Sequence, residues 1–224
     1  MKILCVSDVV DKYLYESQNS LEIKPDLIIS CGDLPKHYLE FLISKFNVPL
    51  FFVHGNHDNY DDIEFEAQKD PLKMIGNSKF NFYSNYDYKK HFAGIDLDRK
   101  LIEFQGLYFI GFEGSNKYNS SKHQYSEEEM KRRVRKTYWK IYLNKLINKK
   151  YVDILITHSP PLGIHDREDI PHRGFKIFLE FIERFKPKYL LHGHVHRHDL
   201  REKRIDEYKG TKIINCYGYY IIEI

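Results

Sequence analysis

The chain contains 224 residues, of which 42% are hydrophobic and 30% are charged, a composition typical of a globular protein with a sizeable core. Its 35 Lys and Arg residues nearly balance its 32 Asp and Glu residues, so the net charge of +3 indicates neither a nucleic-acid partner nor a membrane partner. The three cysteines, Cys5, Cys31 and Cys216, have no metal-site spacing, which favours free thiols in a reducing compartment. We therefore expect one cytoplasmic domain over residues 1–224.

Strands and helices alternate at the start of the chain. Apolar runs predict strands over 2–7, 27–30 and 50–53, and the helical spacing of apolar residues predicts a helix over 36–46. The segment LIEFQGLYFIGF predicts a hairpin that turns at Gln105-Gly106. This order of elements favours mixed sheets that are covered by helices.

The second half of the chain continues with helices between strands. Ser126 and Glu129 form a capping-box pattern, which predicts the start of one long helix. Further along, the sequence predicts a strand within YVDILIT, a helix within GFKIFLEFIERF and a strand at KYLL. The last segment, TKIINCYGYYIIEI, predicts a closing hairpin that turns at Tyr217-Gly218.

Polar residues with metal-binding chemistry follow one predicted strand after another. In open α/β sheets, ligands bind at the carboxyl ends of the strands, so these side chains are expected to converge. A set of carboxylate oxygens, an amide oxygen and imidazoles suits manganese, iron or zinc better than calcium. The candidates are Asp8, Asp33, Asn56 with His57 and Asp58, His158, and the pair His194 and His196.

The order of these motifs resembles the calcineurin-like metallophosphoesterase superfamily, whose pattern is D-x-H, G-D, G-N-H-D/E, H and G-H-x-H. Here the chain reads SDVV, CGDL, GNHD, THSPP and GHVH, and the match runs from Asp8 to His196. The resemblance implies an α+β fold, a four-layer α/β/β/α sandwich of two mixed β-sheets. The segment THSPPLGIHD is similar to a branch of the family in which an Asp, here Asp166, follows H-x-P-P.

The resemblance also implies a role for each matching residue. Asp33 would bridge two metal ions, either divalent manganese or iron (Fe²⁺ or Fe³⁺), with zinc as a further candidate. A hydroxide shared by the two ions would attack a phosphodiester, the favoured substrate, or a phosphomonoester. His57 would stabilise or protonate the leaving group, with Asp58 holding its imidazole. One ion would be completed by Asn56, His158 and His194, and the other by Asp8 and His196.

The first motif departs from the family pattern, because Val10 stands where a histidine is usual. An alkyl side chain cannot ligate a metal, so the ion at Asp8 and His196 lacks one protein ligand. We favour a working two-metal centre of reduced affinity. Two other outcomes are open: only the site with Asn56 fills, or a ligand is borrowed from GIHDREDIPHRG, where the candidates are His165, Asp166, Asp169 and His172.

Protein phosphatase activity is not expected, because GDLPKHY lacks the V-D-R-G run of that branch of the family. The alternative to a phosphoesterase is a scaffold that uses the same fold as a binding surface without catalysis. His192 and His198 flank the last motif and are expected to support the ligands or to face solvent. The candidate substrate-binding residues are Asp166, His172, Arg173 and Tyr125, and Tyr118 is a second tyrosine that could stack on a substrate.

Overall fold

The computed structural model describes residues 1–58, 93–197, 199 and 202–224. Most strands of this part of the chain belong to two large sheets. The helices are α1 (Lys12–Glu16), a 3-10 helix (Gln18–Ile23), α2 (Lys36–Phe46), α3 (Glu127–Arg135), α4 (Tyr138–Asn148) and α5 (Lys176–Phe185). The strands are β1 (Lys2–Ser7), β2 (Leu27–Ser30), β3 (Leu50–Phe52), β4 (Ile95–Asp96), β5 (Leu101–Phe104), β6 (Leu107–Phe112), β7 (Ser115–Asn116), β8 (Gln124–Tyr125), β9 (Ile154–Thr157), β10 (Tyr189–His192), β11 (Ile205–Tyr208), β12 (Thr211–Asn215) and β13 (Gly218–Glu223).

Both large sheets are mixed, as the sequence predicts. The first has five strands in the order β13-β1-β2-β3-β4, and the second has six in the order β11-β12-β10-β9-β6-β5. In the first sheet β1, β2 and β3 run parallel, and in the second β6, β9, β10 and β12 run parallel. The antiparallel partners β13, β5 and β11 lie at the outer edges. The carboxyl ends of the central strands are therefore free of hairpin turns and available for a site.

Alternating side chains of β1 separate two hydrophobic clusters and define the layers. Ile3 and Cys5 point into a cluster that also contains Ile154 and Leu191 of the second sheet, so the two sheets pack face to face. Leu4 and its neighbours on the opposite face pack against α1 and α2. The outer face of the second sheet is covered by α3, α4 and α5. The fold is thus the expected four-layer α/β/β/α sandwich, and because both faces of each sheet are buried the central strands are continuously apolar.

The closing hairpin predicted for residues 211–224 is wrong. β12 pairs with β10 and β11 in the second sheet, whereas β13 crosses to the first sheet and pairs with β1 from Lys2↔Glu223 to Ser7↔Gly218. The crossing is fixed where the N–H of Cys216 donates to the carbonyl of His192 at 2.6 Å. A turn dipeptide between two apolar runs does not show that the runs pair with each other, because each strand had a better partner elsewhere.

The long helix predicted from Ser126 is two helices. Its capping box is present, with the Ser126 hydroxyl and the Glu129 carboxylate each accepting the other's backbone N–H. The break lies between α3 and α4, where the Thr137 hydroxyl donates to the carbonyl of Val134 at 2.7 Å and competes with the helical ladder. No helix within the described ranges is long and apolar enough to cross a membrane.

One hairpin was predicted correctly and another was not foreseen. The hairpin of β5 and β6 turns at Gln105-Gly106, and both residues have positive φ, 49° and 79°. The unforeseen hairpin joins β11 and β12 through Lys209-Gly210, with φ of 52° and 85°. Two consecutive residues at positive φ suit the right-handed twist of the flanking strands.

Candidate metal centre

The predicted metal ligands all follow the carboxyl ends of parallel strands that lie in the two packed sheets. Asp8 and Asp33 come after β1 and β2, and Asn56 comes after β3 of the same sheet. His158 comes after β9 and His194 after β10 of the other sheet. The sandwich therefore brings residues from opposite ends of the sequence to one edge.

Three of these residues have a left-handed backbone conformation, and hydrogen bonds connect the loops that hold them. Asp8, Asp33 and His194 have φ of 67°, 55° and 67°. The N–H of Asp8 donates to the carbonyl of Gly32 at 3.1 Å, and the N–H of His194 donates to the Asp8 carboxylate at 2.9 and 3.0 Å. A non-glycine residue in this region costs about 1–3 kcal/mol and persists only where its surroundings hold it. The strain indicates that the loops are shaped to aim these side chains.

The first glycine of the G-N-H-D motif and that of the G-H-x-H motif are required by close packing around the carboxylates. A Cβ at Gly55 would lie 2.0 Å from Oδ1 of Asp33, and a Cβ at Gly193 would lie 1.8 Å from Oγ of Ser7 and 2.6 Å from Oδ2 of Asp8. Any side chain at these positions would displace a predicted ligand. The G-N-H-D and G-H-x-H spacings therefore have a steric cause in this chain.

Nε2 of His158 faces two oxygen acceptors, neither of which carries a hydrogen to donate to it. Its Nδ1 is 2.8 Å from the carbonyl of Cys31, to which it donates, while Nε2 lies 3.0 Å from Oδ1 of Asn56 and 3.3 Å from Oδ2 of Asp33. Burial lowers the pKa of His158, but the charge of Asp33 outweighs it and raises the pKa to about 9. Without an ion, a proton on Nε2 holds these atoms together. A divalent cation can take its place, since all three atoms are then ligands.

His194 completes this group as a neutral imidazole. Burial lowers its pKa to about 3, assisted by the positive charge of His158. Its Nε2 is 2.7 Å from the carbonyl of Pro171, so this nitrogen carries the proton and Nδ1 keeps its lone pair. Ligand atoms of Asp33, His158 and His194 lie within 4.8 Å of one another. The residues of this first site, with Asn56, therefore fit a transition metal.

The second site, at Asp8 and His196, is less complete. His196 Nε2 lies 4.0 Å from Oδ1 of Asp8, and the imidazole is partly exposed and contacts the Tyr217 ring at a tilt of 34°. Burial, with a contribution from the charge of Asp33, raises the pKa of Asp8 to about 7. Val10 packs against the apolar cluster beneath α1 and α2. The positive charge of His158 offsets the rise in the pKa of Asp8 only in part, so a buried carboxylate fits a cation here, but Val10 contributes no ligand.

The polar stretch after His158 supplies no evident replacement for the missing ligand. His165 Nδ1 is 2.9 Å from Nε2 of His192, and Asp166 accepts the N–H of Gly174 at 3.0 Å. Asp169 and His172 pair with each other at 2.6 Å. Among the four candidates, His172 is the one that contacts a predicted ligand in the described structure: its ring centroid is 5.1 Å from that of His194.

Asp58 has other partners than the His57 imidazole. Its Oδ2 accepts the N–H groups of Gly55 and Asp33 at 2.8 and 3.1 Å and lies 3.9 Å from Nδ1 of His54. Burial, followed by the charge of Asp33, raises its pKa to about 6. His57 is exposed, and its backbone N–H donates to Oδ1 of Asp33 at 2.8 Å. Asp58 thus fixes the loop that carries His57, and the catalytic role of His57 stays a prediction.

The candidate substrate-binding residues Tyr125 and Arg173 have partners outside the set of predicted metal ligands, and their role in binding a substrate stays a prediction. The Tyr125 hydroxyl donates to Glu113 at 2.5 Å, and the Tyr125 ring stacks on the guanidinium of Arg133. Arg173 is exposed, and its carbonyl accepts from Asn116. Tyr118, by contrast, touches the centre, because the side-chain amide of Asn56 donates to its hydroxyl at 3.1 Å. His198 lies outside the described residues.

A buried ionic cluster beside the centre was missed from the sequence. Glu113 follows β6 and contacts Arg133 at 2.7 Å and His123 at 3.1 Å. The ring of His123 stacks on that of His54, with centroids 4.7 Å apart. Glu113 could have been found by the argument that identified the ligands, because it too is a carboxylate at the end of an apolar strand.

The fold and the site together define the class of protein: a two-sheet sandwich with a candidate metal site of Asp, Asn and His residues at the carboxyl ends of its parallel strands. The family comparison then gives the particular family. The chain belongs to the calcineurin-like phosphoesterase family, whose model matches residues 1–198.

Individual relatives are distant. The chain is 26% identical over 209 residues to the UPF0046 protein K07C11.7 of Caenorhabditis elegans, covering 88% of this chain and 63% of the relative. It is 28% identical over 191 residues to a probable glycerophosphodiester phosphodiesterase GpdQ of Arcobacter nitrofigilis, covering 80% of this chain and 59% of the relative. The chain thus spans less than two thirds of the length of either relative. The solved structure of TT1561 of Thermus thermophilus shares the fold, with a TM-score of 0.56, 13% identity and coverage of 97% of this chain and 89% of that one.

Proposed function

We propose that the chain is a metal-dependent phosphoric ester hydrolase and that its substrate is a phosphodiester. The observation that carries the proposal is the meeting of His158 Nε2 with Oδ1 of Asn56 and Oδ2 of Asp33 at 3.0 and 3.3 Å. A buried imidazole between two oxygen acceptors is the arrangement that a cation stabilises. The family is one of phosphoesterases, and the relative named GpdQ supports a diester over a monoester.

Each ligand has a distinct task in this centre. Asp33, Asn56, His158 and His194 would hold one ion, and Asp8 with His196 and Asp33 would hold the other. Bound metals of this kind polarise a phosphoryl oxygen and lower the pKa of water. The mixed oxygen and nitrogen donors favour manganese, iron or zinc over calcium.

The chain itself supplies orientation and a proton donor. The carbonyls of Cys31 and Pro171 bind the outer nitrogens of His158 and His194 and so fix which nitrogen of each ring can ligate. His57 is exposed on the loop that Asp58 holds, and its imidazole would donate a proton to the leaving oxygen of the ester. Loss of this proton donor should slow esters with poor leaving groups most.

The proposal is tested by hydrolysis of bis(p-nitrophenyl) phosphate by the metal-stripped chain, with and without added Mn²⁺. We expect manganese-dependent turnover that disappears in Asp33→Ala and persists in Asp26→Ala, a control at the opposite end of β2. A lower rate with p-nitrophenyl phosphate would support the preference for diesters. Equal inactivity of the wild type and Asp33→Ala with Mn²⁺, Fe²⁺ and Zn²⁺ would contradict the proposal.

A scaffold without catalysis is the second candidate, and the observation that favours it is Val10. This side chain packs against the apolar cluster beneath α1 and α2 and leaves Asp8 without the usual histidine partner. Val10→His distinguishes the two functions. A wild type that is inert and a variant that hydrolyses the diester would indicate a scaffold that has lost catalysis. A wild type that is active, with Val10→His needing less Mn²⁺, would indicate an enzyme with a weakened second site.

A further inference from the structure

The carboxamide of Asn56 connects the metal centre to the loop between β7 and β8. On one side its Oδ1 lies 3.0 Å from Nε2 of His158, and on the other its Nδ2 donates to the hydroxyl of Tyr118 at 3.1 Å. Asn56 is only 5% exposed, so water has little access to replace either partner. A carboxamide carries its acceptor and its donor on opposite sides. The partner of the donor therefore influences which way the oxygen points.

We propose that Tyr118 is a positioning residue that keeps the oxygen of Asn56 turned toward the metal ion. Only the oxygen can ligate a cation, and the reversed amide would place two N–H hydrogens against it. In the ligating orientation the NH₂ group needs a buried acceptor, and the hydroxyl of Tyr118 is the acceptor that the structure provides. This inference rests on the proposed metal centre and assigns to Tyr118 a role that is absent from the sequence motifs.

Tyr118 is itself held in place by a side chain from the next strand. Oε1 of Gln124 accepts the backbone N–H groups of Tyr118 and Asn119, each at 3.1 Å, and Gln124 is buried. The N–H of Lys117 donates to the carbonyl of Tyr125 at 3.1 Å and extends the parallel pairing of β7 and β8. These hydrogen bonds fix the backbone of Tyr118, although its side chain is 38% exposed to solvent.

The test is a double-mutant cycle on metal affinity, measured by calorimetric titration of the metal-stripped chain with Mn²⁺. The cycle contains the wild type, Tyr118→Phe, Asn56→Ala and the double variant. Tyr118→Phe keeps the ring and removes only the acceptor. Tyr15→Phe is the matched control, because Tyr15 is 43% exposed and its ring packs on Phe41 of α2. Unfolding midpoints of the metal-free variants report any structural effect separately.

We expect Tyr118→Phe to weaken Mn²⁺ binding about tenfold, which corresponds to ~1.4 kcal/mol, because a buried donor loses its acceptor. In the Asn56→Ala background the same substitution should have no further effect, since Tyr118 acts through Asn56. Tyr15→Phe should bind Mn²⁺ like the wild type.

Two results would overturn the role of Tyr118 and leave the proposed metal centre standing. One is an unchanged Mn²⁺ affinity in Tyr118→Phe, and the other is the same loss of affinity from this substitution with and without the Asn56 side chain. Binding of Mn²⁺ by the wild type without hydrolysis of any diester would contradict the proposed function but leave the cycle valid. A wild type that binds no Mn²⁺ would contradict both.

Discussion

Glu113 offers a quantitative test of how the ionic cluster beside the centre stabilises the fold. Its carboxylate accepts from Tyr125 and Arg133 at 2.5 and 2.7 Å and lies 3.1 Å from Nδ1 of His123. Burial raises its pKa, but these partners, His123 first, outweigh burial and lower the pKa from 4.5 to about 2. The ionised form is therefore favoured by folding.

The shift sets the size and the sign of the effect on stability. At 1.36 kcal/mol per pKa unit, the lowering corresponds to ~3 kcal/mol in favour of the folded state. Because the folded pKa is depressed, this contribution is fully present above about pH 4.5 and is lost as the pH falls toward 2. Glu113→Gln should accordingly unfold more easily at pH 6 by up to ~3 kcal/mol.

Urea unfolding of the wild type and Glu113→Gln, repeated at intervals of about half a pH unit between about pH 2.5 and 6, measures the difference in their free energies of unfolding. The difference should shrink as the pH falls, because the wild type loses what the variant already lacks. Glu22→Gln, on the exposed side of the 3-10 helix, should match the wild type at every pH. A difference between wild type and Glu113→Gln that is constant across this range would refute the electrostatic account.

Three further results are expected. Gly193→Ala should abolish Mn²⁺ binding in calorimetry, because the new Cβ would lie 1.8 Å from Oγ of Ser7; binding at wild-type strength would show that the loop can move aside. Ser126→Ala should lower the unfolding free energy by ~1 kcal/mol in urea melts, through loss of the cap to Glu129, and no change would mean that the cap is dispensable. Mn²⁺ affinity should rise between pH 7 and 9, because the raised pKa of His158 means that the metal must displace a proton from its imidazole. Calorimetric titration in two buffers of different ionisation enthalpy should show proton release on binding. Absence of proton release would contradict the replacement of this proton by the metal.

The placement of most candidate ligands could be predicted because each one follows the end of a strand in the sequence. Asp8, Asp33, Asn56, His158 and His194 each follow an apolar run, and parallel strands necessarily bring their carboxyl ends to one edge. The capping box at Ser126 was equally accessible, since it depends on two residues at fixed spacing. What these cases share is that local sequence determines the relevant geometry.

The features that could not be predicted depend on contacts between distant segments. After β12 the chain crosses from the second sheet to the first, where β13 pairs with the free edge of β1. Nothing in the sequence of β13 identifies that edge. Asp58 binds the N–H groups of Gly55 in its own loop and of Asp33 in the loop after β2, 25 residues earlier in the chain. Tyr118 binds Asn56, which is 62 residues away in the chain, whereas Tyr125 of the following strand β8 binds Glu113. Two tyrosines with similar surroundings in sequence therefore have unrelated roles.

The central claim is that a metal ion binds among Asp33, Asn56, His158 and His194, and anomalous diffraction from crystals grown with Mn²⁺ tests it most directly. The account predicts an anomalous peak within ligand distance of Asp33 oxygen, Asn56 Oδ1, His158 Nε2 and His194 Nδ1. A second, weaker peak near Asp8 and His196 would match the loss of a ligand at Val10. Absence of any peak at the first position, with His158 still bound directly to Asn56 and Asp33, would contradict the account.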